Sequence, residues 1–123
     1  MKKNRVESRG ATLAFGQFGL KAISPDRISS NQIEAARRVL SRSAGKLGRV
    51  WIRVFPDRPE TQKGAELPMG KGKGEPERYV AEVFPGRILF EMDGIDLVTA
   101  KDAMRRAGTK LSVKTTLVKR SHA

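Results

Sequence analysis

Two segments of the chain place apolar residues on one helical face. The first follows Ser29-Ser30-Asn31-Gln32, a capping box with Ser29 as the expected N-cap, and it is predicted to end at Gly45. The second follows Asp96, another candidate N-cap, and its small side chains allow close approach to a sheet. The predicted buried faces are Ile33, Ala36, Leu40 and Ala44 in the first helix, and Ala100, Ala103, Met104 and Ala107 in the second.

Five other segments have the composition of β-strands. In Arg49–Phe55, side-chain alternation directs Trp51, Arg53 and Phe55 to one side of the strand. The opposite side receives Val50, Ile52 and Val54. We expect Trp51 to pack within the protein, because its strand neighbours are apolar. The other predicted strands are Ala11–Phe18, with Phe15 and Phe18 as core residues, Tyr79–Phe84 and Arg87–Met92 around a Pro85-Gly86 hairpin turn, and Val113–Val118.

The predicted order of elements is β-α-β-β-β-α-β. It indicates an α+β fold in which two helices lie on one face of a largely antiparallel sheet. The 123 residues are enough for a single domain with a modest core. Within this domain, residues 1–8 are predicted to be a short basic tail and residues 57–78 an extended loop.

The predicted loop contains the run Met69-Gly70-Lys71-Gly72-Lys73-Gly74. Glycines allow close backbone approach to a partner, and the two lysines supply mobile positive charge. The run is therefore either a solvated linker or an arm that contacts phosphates. If the whole predicted loop folded back on itself, its tip could reach roughly 30 Å from the body of the protein. It is not a nucleotide-binding P-loop, because five residues separate Gly64 from Gly70 and Gly72 stands where that motif needs Ser or Thr.

The charge of the chain favours a polyanionic partner. It carries 25 Lys and Arg residues against 13 Asp and Glu, for a net charge of +12. This is typical of nucleic-acid-binding domains. Arg38 and Arg42 lie opposite the apolar face of the first helix, where Glu34 can pair with Arg38. That face is either simply solvated or in contact with phosphates. No segment resembles a membrane-binding or membrane-spanning helix, so no membrane partner is expected.

Catalytic chemistry has few candidate residues. The chain has no cysteine, and its single histidine, His122, is the penultimate residue. The carboxylate pairs Glu75/Glu77 and Asp93/Asp96 are better explained by loops, turns and a helix cap than by acid–base catalysis. We therefore predict a protein that is not an enzyme and holds no metal and no cofactor.

Several motifs in fixed order resemble bacterial-type large-subunit ribosomal protein sixteen. The resemblance runs from about Arg9 to Val118. The motifs are Phe15-Gly16-Gln17-Phe18-Gly19-Leu20-Lys21, Gln32-Ile33-Glu34-Ala35-Ala36-Arg37-Arg38, Val50-Trp51-Ile52-Arg53-Val54-Phe55-Pro56-Asp57, the Gly/Lys run at 69–74, Glu91-Met92-Asp93-Gly94 and Lys114-Thr115-Thr116.

This resemblance implies a hammerhead-type α+β fold and a structural and assembly role in the large ribosomal subunit. The implied partners are large-subunit rRNA beneath the central protuberance and near the peptidyl-transferase centre, transfer RNA, and neighbouring large-subunit proteins, with no homo-oligomer. The expected location is the ribosome of a cytoplasm or an organelle matrix. The candidate rRNA-binding residues are Lys2, Lys3, Arg5, Arg9, Lys21, Arg38, Arg42, Lys46 and Arg53. The candidate loop against transfer RNA or rRNA is Met69, Gly70, Lys71, Gly72, Lys73 and Gly74.

Two departures from the family pattern limit what the resemblance implies. The family usually has a longer basic extension before the matching core, so the contacts of that extension are not carried over. It also usually has an arginine, hydroxylated in some bacteria, where Pro68 stands here. Two other classes remain: a free nucleic-acid-compacting protein, which the ordered motifs disfavour, and a nucleotide-dependent enzyme, for which a phosphate loop and a magnesium ligand are missing.

Overall fold

The computed structural model describes residues 12–60 and 78–120. These two ranges contain seven strands and two helices. The strands are β1 (Phe18–Ala22), β2 (Asp26–Ser29), β3 (Arg49–Ile52), β4 (Arg58–Glu60), β5 (Arg78–Val83), β6 (Ile88–Asp93) and β7 (Thr115–Lys119). The helices are α1 (Ser30–Ala44), between β2 and β3, and α2 (Leu97–Gly108), between β6 and β7.

The strands form two antiparallel sheets. The main sheet has the order β3-β6-β1-β7, and the small sheet has the order β2-β5-β4. The predicted α+β class with two helices and antiparallel strands is thereby confirmed. The sequence predicted five strands in one sheet, whereas the described residues form seven strands in two sheets. β2 and β4 are too short, and β4 too polar, to stand out as strands in the sequence.

Both helices begin at their predicted N-cap residues, and α1 also ends at its predicted residue, Gly45. The Gln32 backbone N–H donates to Ser29 Oγ at 3.2 Å, and the Ser29 N–H donates to Gln32 Oε1 at 3.1 Å, which completes the capping box. Gly45 ends α1 with a φ of 66°. Asp96 caps α2 by accepting from the Thr99 N–H at 2.8 Å. Two rigid helices are therefore fixed by local sequence.

The core lies between the helices and the main sheet. All eight residues predicted for the two apolar helix faces are buried. They pack with inward side chains of the sheet, which include Leu20, Phe90 and Met92. Val54 is buried in the same cluster, on the side that it was predicted to share with Val50 and Ile52, although β3 ends at Ile52. The side of the main sheet that faces away from the helices is called the outer face below.

The first strand begins later than predicted. The sequence indicated Ala11–Phe18, but β1 runs over Phe18–Ala22. The backbone N–H groups of residues 14–16 donate to the side chain of Glu91 instead of joining a strand ladder. Phe18 is buried as predicted, whereas Phe15 is 56% exposed and is not a core residue. The prediction for Phe15 was therefore wrong.

The Pro85-Gly86 turn does not close a hairpin. β5 pairs with β2 and β4, while β6 pairs with β1 and β3. The Gly86 N–H donates to the carbonyl of Ala22 at 2.8 Å, and the Arg87 carbonyl accepts from the Ala22 N–H at 2.9 Å. The turn is thus bonded to the end of β1, so the chain passes from the small sheet into the main sheet at this point.

Candidate nucleic-acid interface

The exposed face of α1 ends in cations that have no carboxylate partner among residues 12–60 and 78–120. Glu34 pairs with Arg37 at 2.6 Å and with Arg38 at 3.4 Å, which confirms the predicted Glu34–Arg38 pair. The Arg37 hydrogen bond, aided by the charges of both arginines, lowers the pKa of Glu34. Arg42 and Lys46 are exposed and make no ion pair within the described residues. Along α1, positive charge is therefore least neutralised at the C-terminal end. We call the exposed row Arg38, Arg42 and Lys46 the α1 basic face.

α2 adds basic residues that the sequence analysis did not select. Arg105 and Arg106 both pair with Asp102 at 3.1 Å, and these arginines lower its pKa. Arg106 Nη2 also donates to Ser43 Oγ at 3.0 Å. This contact brings the last turns of the two helices together, so both contribute to one basic surface. At helical spacing, Arg105 and Arg106 fall on the side of α2 opposite Ala103 and Ala107, so the sequence could have identified them as exposed.

Glu91 of β6 is a buried carboxylate that organises the outer face. Its side chain is fully buried, and it accepts the N–H groups of Ala14, Phe15 and Gly16 at 2.9, 2.8 and 2.7 Å. It also pairs with Arg53 Nη1. Burial raises the pKa of Glu91, but the three backbone hydrogen bonds and the Arg53 contact outweigh burial and lower it. Residues 14–16 are thereby fixed against the main sheet.

Arg53 lies in this internal network. Its side chain is only 18% exposed, and Nη1 contacts both Glu91 and the carbonyl of Thr12, the latter at 3.0 Å. Part of its hydrogen-bonding capacity is thus used within the protein. Its contact with rRNA stays a prediction. Sequence reasoning missed Glu91, although an acidic residue within the apolar run Ile88–Met92 is a signal that its charge needs an internal partner.

Phe15 and Trp51 form an aromatic pair on the outer face. Their ring centroids are 5.6 Å apart with an interplanar angle of 18°. The Arg53 guanidinium carbon lies 5.8 Å from the centroid of the Phe15 ring. Trp51 packs within the protein, as predicted. Lys21 also lies on the outer face, where it is half-buried and opposite Thr116 of β7.

Ion pairs connect the strands of the small sheet. Arg78 pairs with Glu60 at 2.7 Å and Arg58 pairs with Glu82 at 3.0 Å, which joins β4 to β5. Glu60 and Arg78 are also direct partners in the strand register. The two chain ends that flank residues 61–77 are therefore held side by side. Residues 58–60 and 78, which were predicted to belong to the extended loop, lie in these strands.

The remaining candidate residues lie outside the described ranges. They are Lys2, Lys3, Arg5 and Arg9 of the predicted basic tail, and Met69, Gly70, Lys71, Gly72, Lys73 and Gly74 of the predicted loop. Residues 12–60 and 78–120 contain no cluster of His, Cys, Asp and Glu that could hold a metal ion. Neither α1 nor α2 is long and apolar enough to cross a membrane.

Comparison with known proteins identifies the family. The chain is 58% identical over 115 residues to large ribosomal subunit protein uL16 of Rhodopseudomonas palustris (strain HaA2), covering 94% of this chain and 84% of the relative. It is 61% identical over 113 residues to the protein of the same name from Nitrobacter hamburgensis, covering 92% and 82%. The model of the family "Ribosomal protein L16p/L10e" matches residues 1–118. Proteins of this family are structural, which confirms the prediction that the chain is not an enzyme. This chain belongs to the ribosomal protein L16p/L10e family.

Proposed function

We propose that this protein is a structural constituent of the large ribosomal subunit that binds large-subunit rRNA near the peptidyl-transferase centre and the central protuberance. In this position it helps to place transfer RNA and to assemble the subunit, beside neighbouring large-subunit proteins in cytoplasmic ribosomes. It acts there as a single copy without a membrane partner. The names of its relatives and its net charge of +12 support this assignment.

The observation that carries the rRNA assignment is the α1 basic face. Arg42 lies in the last turn of α1 and Lys46 lies two residues after its end; the opposite side of this helix is buried, so the fold fixes the backbone that carries both residues. Because neither has a carboxylate partner within the described residues, both charges are available to phosphate oxygens. Arg38 contributes less, since Glu34 already lies 3.4 Å from it.

The transfer-RNA assignment rests on residues 69–74. The flanking strands β4 and β5 are paired and joined by the Arg78–Glu60 ion pair, so the segment between them starts and ends at one place on the body. Lys71 and Lys73 provide mobile positive charge, and the glycines on either side of each lysine have no side chains that would keep the backbone from a row of phosphates.

Binding of the protein to purified large-subunit rRNA is expected to weaken steeply with salt. Engagement of about six to ten phosphates would cost roughly three to five decades of affinity between about 50 and 200 mM salt, because counterions are released. The measurement is the slope of log affinity against log salt concentration. An affinity that is nearly independent of salt would contradict binding through phosphates.

Replacing Lys71 and Lys73 with Ala is expected to leave the thermal midpoint and incorporation into the subunit close to wild type. Surface changes of this kind usually alter stability by less than about 0.5 kcal/mol. Transfer-RNA binding by the occupied subunits is expected to weaken, because the proposal pairs the lost charges with phosphates of transfer RNA. If the variant is instead incorporated poorly while occupied subunits bind transfer RNA normally, residues 69–74 are an rRNA anchor and this assignment is wrong.

A further inference from the structure

We propose that the exposed ring of Phe15, backed by Trp51, is a stacking platform for one unpaired base of RNA. The proposal rests on the rRNA-binding function above and adds to it a contact with a base rather than with phosphates. Phosphate contacts position a protein on RNA, whereas a stacked base identifies an unpaired nucleotide.

Much of the Phe15 ring remains open to solvent. Phe15 lies against Trp51 with an interplanar angle of 18°, and the Arg53 guanidinium carbon lies over the same ring, 5.8 Å from its centroid. Trp51 and Arg53 are two residues apart and lie on the same side of their segment, so the Phe15 ring spans both of them. Phe15 is nevertheless 56% exposed, so its side chain remains accessible to a partner.

The backbone that carries Phe15 is fixed independently of the ring. Glu91 holds the N–H groups of Ala14, Phe15 and Gly16, and the Gln17 N–H donates to the Met92 carbonyl at 3.0 Å. A Cβ on Gly16 would lie 2.5 Å from that carbonyl oxygen, so only glycine allows this close approach. The ring is therefore held in place before any partner binds, and stacking on it costs little ordering entropy.

Two further arginines are carried by the backbone close to the aromatic pair. Arg120 donates from Nε and Nη2 at 3.2 and 3.0 Å to the carbonyl of Gly16, the residue after Phe15. Arg49 is exposed and lies two residues before Trp51 on the same side of β3. An aromatic ring bordered by arginines suits a nucleotide, because the base meets the ring while the adjoining phosphates meet the charges. Within the described residues neither Arg49 nor Arg120 has a carboxylate partner, so an apolar protein surface would leave both charges uncompensated.

The chain supplies a matched control in Phe55. This residue is 63% exposed and, within the described part of the chain, makes no ring contact. Phe55 thus has the exposure of Phe15 without the supporting aromatic ring. Replacing either phenylalanine with Leu changes no charge and keeps an apolar side chain.

The test compares Phe15→Leu, Phe15→Tyr and Phe55→Leu in the full-length protein bound to purified, protein-free large-subunit rRNA. We expect Phe15→Leu to lower the affinity for rRNA by about 5- to 30-fold, because one base–aromatic stack is lost. The affinities of Phe15→Tyr and Phe55→Leu are expected to stay within about twofold of wild type. The slope of log affinity against log salt is expected to be unchanged in all three, because no charge is lost. The thermal midpoint of each variant is measured alongside, to show that the fold is retained.

Wild-type affinity of Phe15→Leu would overturn the platform and leave the rRNA-binding function standing. An equal loss of affinity in Phe15→Tyr would also overturn the platform, since that variant keeps the aromatic ring. A Phe15→Leu defect that occurs only when neighbouring ribosomal proteins are present would overturn it as well. Failure of the wild-type protein to bind rRNA would instead overturn the proposed function and, with it, the platform.

Discussion

Replacing Glu91 with Ala is expected to lower the free energy of unfolding by about 3–5 kcal/mol, the usual cost of removing one partner of a buried ion pair. The substitution leaves Arg53 without its carboxylate and removes the acceptor for the N–H groups of residues 14–16. Each buried donor left without an acceptor adds to the cost. Denaturant unfolding at neutral pH measures the loss.

A Glu91→Gln variant separates the charge from the shape of this side chain. The pKa of Glu91 is lower in the folded protein than its ordinary value. A carboxyl group of this kind stabilises the fold fully above its unfolded-state pKa of about 4.3 and loses that contribution as the pH falls through its folded-state pKa. The stability difference between wild type and Glu91→Gln is therefore expected to be largest near pH 7 and to shrink below about pH 4.

Glu82 provides the control for both Glu91 variants. It lies on β5, is 22% exposed, and pairs with Arg58 at the protein surface. Replacing Glu82 with Ala is expected to change stability by less than about 1 kcal/mol, because solvent screens such pairs. Equal losses for Glu82→Ala and Glu91→Ala, or a Glu91→Gln difference that is the same at pH 7 and at low pH, would contradict the role assigned to Glu91.

Removing Arg42 and Lys46 together, by substitution with Ala, is expected to weaken binding to large-subunit rRNA by roughly 100-fold, since each lost charge-assisted contact costs about a factor of ten. The slope of log affinity against log salt should fall by about two, one for each phosphate contact. Folding should be unaffected, because the buried face of α1 is unchanged. Filter binding over a salt series, with a thermal melt, measures both quantities.

The matched control removes Arg37 and Arg105 instead. This variant also removes two positive charges, one from α1 and one from α2, but both side chains are already paired with carboxylates, Glu34 and Asp102. Affinity for rRNA is expected to fall much less. If the two double variants weaken binding equally, net charge rather than the position of Arg42 and Lys46 governs the interaction.

The helices could be predicted from the sequence because their signals are local. Ser29 and Gln32 are three residues apart, and each completes the other's hydrogen bond, so the start of α1 is encoded within one turn. The apolar spacing behind them determined the buried face. The alternation of residues 49–55 likewise assigned Trp51 and Val54 to opposite sides of their strand.

The outer face could not be predicted because its partners are distant in the chain. The N–H groups of residues 14–16 would fit a strand, but Glu91 lies 75 or more residues away and takes them instead. The same carboxylate explains why Phe15 is exposed and why Arg53 lies in an internal ion pair. Strand propensity and period contain no information about such a contact.

The central claim is that the protein occupies one specific site on the large ribosomal subunit. Its most direct test is titration of the full-length protein into large-subunit particles depleted of it, near 150 mM salt, where non-specific binding is weak. The account predicts saturation at one copy per particle, with the bound protein retained during sedimentation in the presence of excess competitor RNA. Binding that continues past one copy, or that any competing RNA removes, would identify a general nucleic-acid-compacting protein and contradict the account.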